Sequence, residues 1–315
     1  MRFVCPNPRE KFEELKKQFT PSELYLSYKT PSLDKAEKLV DHLYQTAETI
    51  TRLDDHIHIA SRLLRRLEKA VSGRDFDIER AKRIANKILV FVAFYHDIGK
   101  AEVQYQLYAR HEFEELCREC TRTPPHNYSS VAFLTKVDDI REKFIGTLHE
   151  EGLSLKVADL TYVACLTAIA MHHEYFDYKD IAFLDFLTPL TLSLAKELSP
   201  DTMLVFDDTY IVVLDEAVKR LRADVPLPRS RGSVTATLSE VLEHIAVIHY
   251  EFGATLVNPE SLSLEHRSDY VRATSSLAEA LTWILTIADN LAARTRGSSD
   301  PERSFFASLI ERYYG

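Results

Sequence analysis

Three long apolar stretches in this chain each run without interruption into ionisable side chains. Ile88–Tyr95 (ILVFVAFY) carries no charge and is followed at once by His96-Asp97. Leu160–Met171 runs into His172-His173, and Leu281–Ala288 (LTWILTIA) runs into Asp289. A helix that is apolar on nearly all sides is buried, so imidazoles and carboxylates at its end are taken out of water at a cost that something must offset. A single such residue is ordinarily a hydrogen-bonded core or capping group. Three buried helices that each end in His or Asp are better satisfied by a divalent cation, which neutralises the carboxylates and gives the imidazoles a partner.

Composition narrows the fold around these helices. The chain has 315 residues with 8 Gly and 12 Pro, too few turn formers for an all-β sandwich or barrel. Apolar residues at 45% and charged residues at 28% are ordinary for a globular protein and exclude disordered and fibrous classes. The net charge of −9 excludes a general basic coat for nucleic acid and leaves room for a local basic face. Cys5, Cys117, Cys120 and Cys165 are too few and too irregularly spaced for a disulfide scaffold, which fits a reducing compartment. The opening MRFVCPNPREKFEELKK lacks a secretory apolar core, and no uncharged run reaches the roughly 18 residues of a membrane span. A cytoplasmic protein without a membrane partner is expected.

Apolar residues recur at helical spacing through most of the chain, as at Ile84, Ile88, Phe91, Tyr95 and Ile98. Helices are expected over Lys35–Leu53, Ile57–Val71, Glu79–Asp97, Ser129–Glu150, Leu155–His172, Val234–Glu251 and Ser268–Arg294. Breaks fall at Ser72-Gly73-Arg74, Thr121–Pro125, around Pro189 and Pro200, at Val225–Gly232 and at Asn258-Pro259, none long enough for an interdomain linker. The expected architecture is all-α, a helical bundle forming a single domain over 1–315. Thr202–Leu214 (TMLVFDDTYIVVL) is β-branched and fits either a short β-hairpin turning at Asp207-Asp208 or more helix. Cys117 and Cys120, flanked by His111 and His126, outline a zinc site on paper. HEFEELCREC has helical spacing and no second CxxC exists, so the motif reads as incidental.

His96-Asp97-Ile98-Gly99-Lys100, in YHDIGKAEVQYQ, resembles the signature of the HD-domain metal-dependent phosphohydrolases. Their order of a His, a His-Asp pair and a distant Asp is met by His42, His96-Asp97 and Asp289, with His58 an alternative first ligand. His residues at the positions of His126 and His172-His173 are similar to those of the subgroup that holds two metals. The strings VDHLYQTAETI, AFYHDIGKAEVQYQ, HNYSSVAFL and AIAMHHEYF resemble the CRISPR-associated HD nuclease of type I interference systems. The resemblance spans about residues 36–293 and favours His42 over His58. His126 with Ser129 and Ser130 matches that family's His-then-Ser pattern. Gly99-Lys100 lacks the upstream glycine and following Ser/Thr of a phosphate loop, so the likeness is to the stand-alone nuclease without its helicase.

Two divalent ions suit phosphodiester hydrolysis, because they activate water and stabilise the attacking and leaving oxygens. His42, His96, Asp97 and Asp289 are assigned to one ion. His126, His172 and His173 are assigned to the other, with Asp97 bridging. Adjacent helical residues point about 100° apart, so His172 and His173 reach one site only near a helix end. Asp97 and Lys100 are the expected catalytic residues, with Lys100 placed to neutralise charge on the phosphate; Ser130 orients a ligand or touches substrate. The donor set suits Mn, Fe, Co or Ni better than Mg.

The resemblance implies single-stranded DNA as substrate, RNA being the other polynucleotide, and as partners a separate interference helicase and a crRNA-guided surveillance complex. Arg62, Arg65, Arg66 and Lys69; Arg80, Lys82, Arg83 and Lys87; and Lys219-Arg220 with Arg222, Arg229 and Arg231 are either phosphate-binding stripes or ordinary solvated helix faces. The alternatives are an HD phosphohydrolase of small nucleotides, such as a dNTP or cyclic nucleotide, and a regulatory subunit that keeps the metal site for stability.

Overall fold

A computed structural model describes residues 5–121, 123, 125–173, 202–237, 239–240, 243 and 264–294. The helices are α1 (Pro8–Gln18), α2 (Pro21–Leu24), α3 (Leu39–Ile57), α4 (Ile59–Ser72), α5 (Ile78–Tyr95), α6 (Val103–Ala109), α7 (His126–Lys136), α8 (Asp138–Glu150), α9 (Leu155–Met171), α10 (Tyr210–Leu221) and α11 (Leu264–Arg294). Strands β1 (Met203–Phe206) and β2 (Val234–Thr237) pair antiparallel, with Met203 opposite Thr237 and Phe206 opposite Val234. The chain is therefore an all-α bundle with one small sheet.

Local chemistry sets where the site-bearing helices begin and stop. The Asp77 carboxylate accepts from the Arg80 amide and opens α5, and the Ser154 hydroxyl accepts from the Val157 amide and opens α9. Gly73, at φ 70°, supplies the left-handed residue that ends α4. Every residue of α5 from Ile88 to Tyr95 is buried, as is every residue of α9 from Leu160 to Met171. These two helices form the centre, and α3, α7, α8 and α11 pack around them. Each fully buried Leu, Ile or Phe contributes about 1.5–3 kcal/mol, so this layer dominates the fold's stability. The His-bearing ends are held rigidly as a result.

Several expectations need correction. Ser129–Glu150 is two helices, because Val137 leaves helical geometry at φ −108°, ψ 70° and α8 restarts at Asp138. Val234–Thr237, expected as the start of a helix, is strand β2. The small antiparallel element expected near 202–214 is present, with its partner farther along the chain: β1 leads into α10 and pairs with β2 beyond that helix, not across a turn at Asp207-Asp208. β-branched residues in both segments explain the pairing, which local periodicity could not reveal. HEFEELCREC holds only the 3₁₀ turn Glu115–Cys117. Cys120 is bonded to Cys5, so the CxxC is divided between a bridge and the buried free thiol of Cys117. The breaks expected near Pro189, Pro200 and Asn258-Pro259 lie outside the described residues. No helix among the described residues is long and apolar enough to cross a membrane.

Candidate metal centre

The ends of α5 and α9, the starts of α3 and α7 and the C-terminal half of α11 converge on one point. α5 stops at Tyr95, and the chain turns through His96-Asp97 into the 3₁₀ turn Ile98–Ala101. Gly99 makes the next approach possible: a Cβ there would lie 1.9 Å from the His126 carbonyl and 2.5 Å from the Ser130 amide. Ser130, fully buried, accepts from the Gly99 amide at 2.8 Å, and its hydroxyl lies 2.7 Å from the His96 carbonyl and 2.9 Å from that of His126. It therefore pins together the two turns that bear His96 and His126, an arrangement that orients their side chains. α9 ends at Met171; His172 keeps helical backbone angles as the cap residue, φ −63° and ψ −20°, and at this helix end the rings of His172 and His173 both join the cluster, 4.0 Å apart between centroids.

Two groups of side chains result. His42, His96, Asp97 and Asp289 form one, and Asp97, His126, His172 and His173 the other; within each, one ligand atom per residue lies within 4.8 Å of all the others. Asp97 belongs to both. Its Oδ2 is 2.9 Å from His42 Nε2, and its Oδ1 is 3.0 Å from His126 Nε2. Asp289 Oδ1 is 3.0 Å from His42 Nε2, and the His126 and His173 Nε2 atoms are 2.7 Å apart. Lys100, 6% exposed, turns its ammonium onto Asp97 Oδ2. His58, the alternative to His42, sits at the α3–α4 junction and belongs to neither group.

Tautomers are set by the backbone. His96 Nδ1 donates to the Ala93 carbonyl and His172 Nδ1 to that of Ile169, each at 2.7 Å, so both present Nε2 to the cluster. Those two Nε2 atoms are buried without a hydrogen-bond partner of good geometry. Burial and the His96 charge push His172 down to about 3. Burial and the neighbouring His172 hold His173 well below the usual range, and burial with the Lys100 charge lowers His126. For Asp97, burial is outweighed by His96, Lys100 and His126, which hold it well below the carboxylate range; His42 and His96 do the same for Asp289. Burial lowers His96 as well, but Asp97 and Asp289 win and raise it to about 9. Neutral imidazoles at His126, His172 and His173 beside ionised carboxylates, with buried nitrogens aimed inward, are donor forms a divalent cation requires, and His96, held protonated by the carboxylates, would release its proton on binding one. The residues fit the metal.

Polar residues that sequence reading passed over complete the frame. Asn127 Nδ2 donates to the Ala170 carbonyl at 2.6 Å and fixes α7 to the end of α9. The Thr286 hydroxyl, 2.8 Å from the His172 carbonyl, fixes α11 to the same turn. Glu37 Oε2 lies 3.7 Å from His42 Nδ1 and accepts from Ser27. Buried Glu102 caps α6 at the Tyr105 amide and reaches the Val205 amide of β1; burial raises it to about 7 against these donors. A threonine inside LTWILTIA and an asparagine directly after His126 were the available signals.

Several cations of the basic stripes are partly exposed and paired with carboxylates. Arg65 pairs with Asp75, Lys82 with Glu79, Lys87 with Glu151, Arg220 with Asp41 and Glu216, and Arg231 with Asp215. Arg62, Arg66 and Lys69 share an exposed face of α4. Glu68 on that helix meets Ser154 at the start of α9, roughly 25 Å along α9 from His172. That stripe is remote from the cluster.

A helical bundle closing on shared His and Asp ligands defines an HD-type, metal-dependent hydrolase. A family model described as Cas3, HD domain, matches residues 29–190, half of the chain. The chain belongs to that CRISPR-associated family. No curated protein and no solved structure gives a significant match.

Divalent metal should stabilise the protein by mass action. At a hundredfold excess over its Kd, one bound ion adds about 2.7 kcal/mol. Thermal melts with Mn²⁺ or Ni²⁺ against chelator should show a clear rise in Tm, and superimposable curves at saturating metal would contradict a preformed site.

Proposed function

We propose that this protein is a nuclease that hydrolyses phosphodiester bonds of single-stranded DNA in CRISPR interference, using two divalent ions. The observation that carries the reading is the position of Asp97, with one carboxylate oxygen toward each ligand group. His42, His96, Asp97 and Asp289 would hold one ion, and His126, His172 and His173 with Asp97 the other; imidazole and carboxylate donors favour Mn, Fe, Co or Ni over Mg. Ions held there supply a water nucleophile at neutral pH and a clamp on the attacking and leaving oxygens of an in-line displacement.

The chain's own residues provide the geometry. The backbone carbonyls of Ala93 and Ile169 keep His96 and His172 aimed inward, and Ser130 holds the turns bearing His96 and His126 in register. Lys100 keeps Asp97 oriented and places positive charge beside the reacting phosphate. Residues 1–315 act as one domain in this reading. The net charge of −9 implies weak affinity for free DNA. A separate interference helicase and the crRNA-guided surveillance complex would then deliver the strand in the cytoplasm.

The test is metal-dependent cleavage of circular single-stranded DNA, set against single-stranded RNA and a panel of dNTPs and cyclic nucleotides. DNA cleavage that disappears with chelator is expected. Turnover of nucleotides alone would establish the small-nucleotide alternative and sink the nuclease reading.

A further inference from the structure

The C-terminal end of α6 and the turn that follows it carry a parallel aromatic pair. The rings of Tyr108 and His111 are stacked with an interplanar angle of 4° and centroids 5.5 Å apart. Both side chains are half-buried, with the Lys29 ammonium 5.6 Å from the Tyr108 centroid. Lys29 is tied to Glu112 at 2.7 Å, an exposed pair of small net worth that yields readily to a phosphate. Neither ring belongs to the main apolar core, and neither contributes to the ligand groups.

This pair is continuous with the metal centre. Tyr105, one turn earlier on α6, meets the His126 ring edge-to-face at 5.8 Å. Its hydroxyl donates to the Ser27 carbonyl, and the Thr30 amide donates to the Ala109 carbonyl, so the segment carrying Lys29 lies along α6. Side chains three apart on a helix are neighbours, separated by about 5–6 Å between Cβ atoms. One nucleotide of an extended strand covers a similar length. A strand whose phosphate sits at the His126 side of the cluster therefore reaches Tyr108 within one or two nucleotides. An aromatic plane beside a cation is the arrangement that binds single strands without reading sequence. Among the described residues, the basic side chains on α4, α5 and α10 have no such aromatic plane beside them.

We propose that Tyr108 and His111 form a base-stacking subsite for the nucleotide one or two positions from the scissile phosphate, with Lys29 contacting the adjoining backbone. The ligand is an unpaired nucleobase of a polynucleotide. The inference rests on the nuclease reading above.

The test is equilibrium binding of fluorescein-labelled oligothymidylate, and of an abasic oligomer of equal length, to wild type, Tyr108→Ala and Tyr108→Phe with metal chelated. Hydrolysis of bis(4-nitrophenyl) phosphate with metal present is followed in parallel. Tyr108→Ala should weaken oligothymidylate binding roughly ten-fold or more. Tyr108→Phe should retain it, the abasic oligomer should bind all three proteins alike, and bis(4-nitrophenyl) phosphate turnover should be unchanged. Wild-type affinity for oligothymidylate in Tyr108→Ala would overturn the subsite, as would equal loss of the abasic oligomer. If wild type turns over nucleotides and neither binds nor cuts single strands, the nuclease reading itself fails and takes the subsite with it.

Discussion

Asp97→Ala should reduce metal-dependent hydrolysis to background and abolish the metal-induced rise in Tm, because the substitution removes a donor from both ligand groups at once. Replacing a residue confined to one group, such as His42→Ala or His173→Ala, leaves the other complete, and a weaker shift should survive. Asp97→Ala also changes the metal-free protein. Lys100, buried and paired with Asp97, would be left beside protonatable His96 without its nearest counter-charge. Breaking a buried pair from one side costs about 3–5 kcal/mol, which the loss of burial strain on the carboxylate only partly offsets. The apo variant should therefore melt below apo wild type, and adding Mn²⁺ should widen the gap. Isothermal titration and melting curves on the two proteins check both parts. Full metal binding by Asp97→Ala would show that the carboxylate does not hold metal.

Gly99→Ala should be the most damaging conservative change near the site. Gly99 has no positive φ that demands glycine; what it needs is space. An added methyl would lie 1.9 Å from the His126 carbonyl and 2.5 Å from the Ser130 amide, both backbone atoms that cannot turn aside. α7 must shift as a unit, carrying His126 away from Asp97 and breaking the Gly99–Ser130 hydrogen bond. Overpacking of this kind costs about 1–3 kcal/mol, a fall of roughly 2–5 °C in Tm for a chain of this size. The variant should also lose most of its metal-dependent hydrolysis while still folding. By contrast Gly146→Ala, on α8 with open space around the added methyl, should leave both Tm and activity unchanged. Equal behaviour of the two variants would contradict the packing argument.

Much of the site was legible before any fold was known, because buried charge is conspicuous in an apolar helix. Ile88–Tyr95 running into His96-Asp97, and Leu160–Met171 running into His172-His173, mark helix ends directly, and α5 and α9 stop at Tyr95 and Met171. His42 was harder to identify. It lies in a helix with mixed polarity, and only the DHLYQTA string separated it from His58, which meets the same motif order. Its 2.9 Å approach to Asp97 is a tertiary fact. The sheet was legible in part: β1 falls in the β-branched segment 202–214, but its partner β2 lies beyond α10, and strands of four residues leave no local period to reveal the pairing. The joining of Cys5 to Cys120 across 115 residues likewise depends on where α1 docks.

Sequence alone determined the helical class, the centre formed by α5 and α9 and the kinds of ligand their ends would bear, since these follow from the apolar period and from the cost of burying charge. Tertiary structure decided how the candidate ligands divide, with Asp97 Oδ2 toward His42 and Oδ1 toward His126, and it placed the Ser130 hydroxyl between the turns bearing His96 and His126. The physical reason is range. Helical periodicity acts over a few residues, whereas the meeting of residues 42, 97, 126, 172 and 289 depends on five helix ends packed to within a few ångströms.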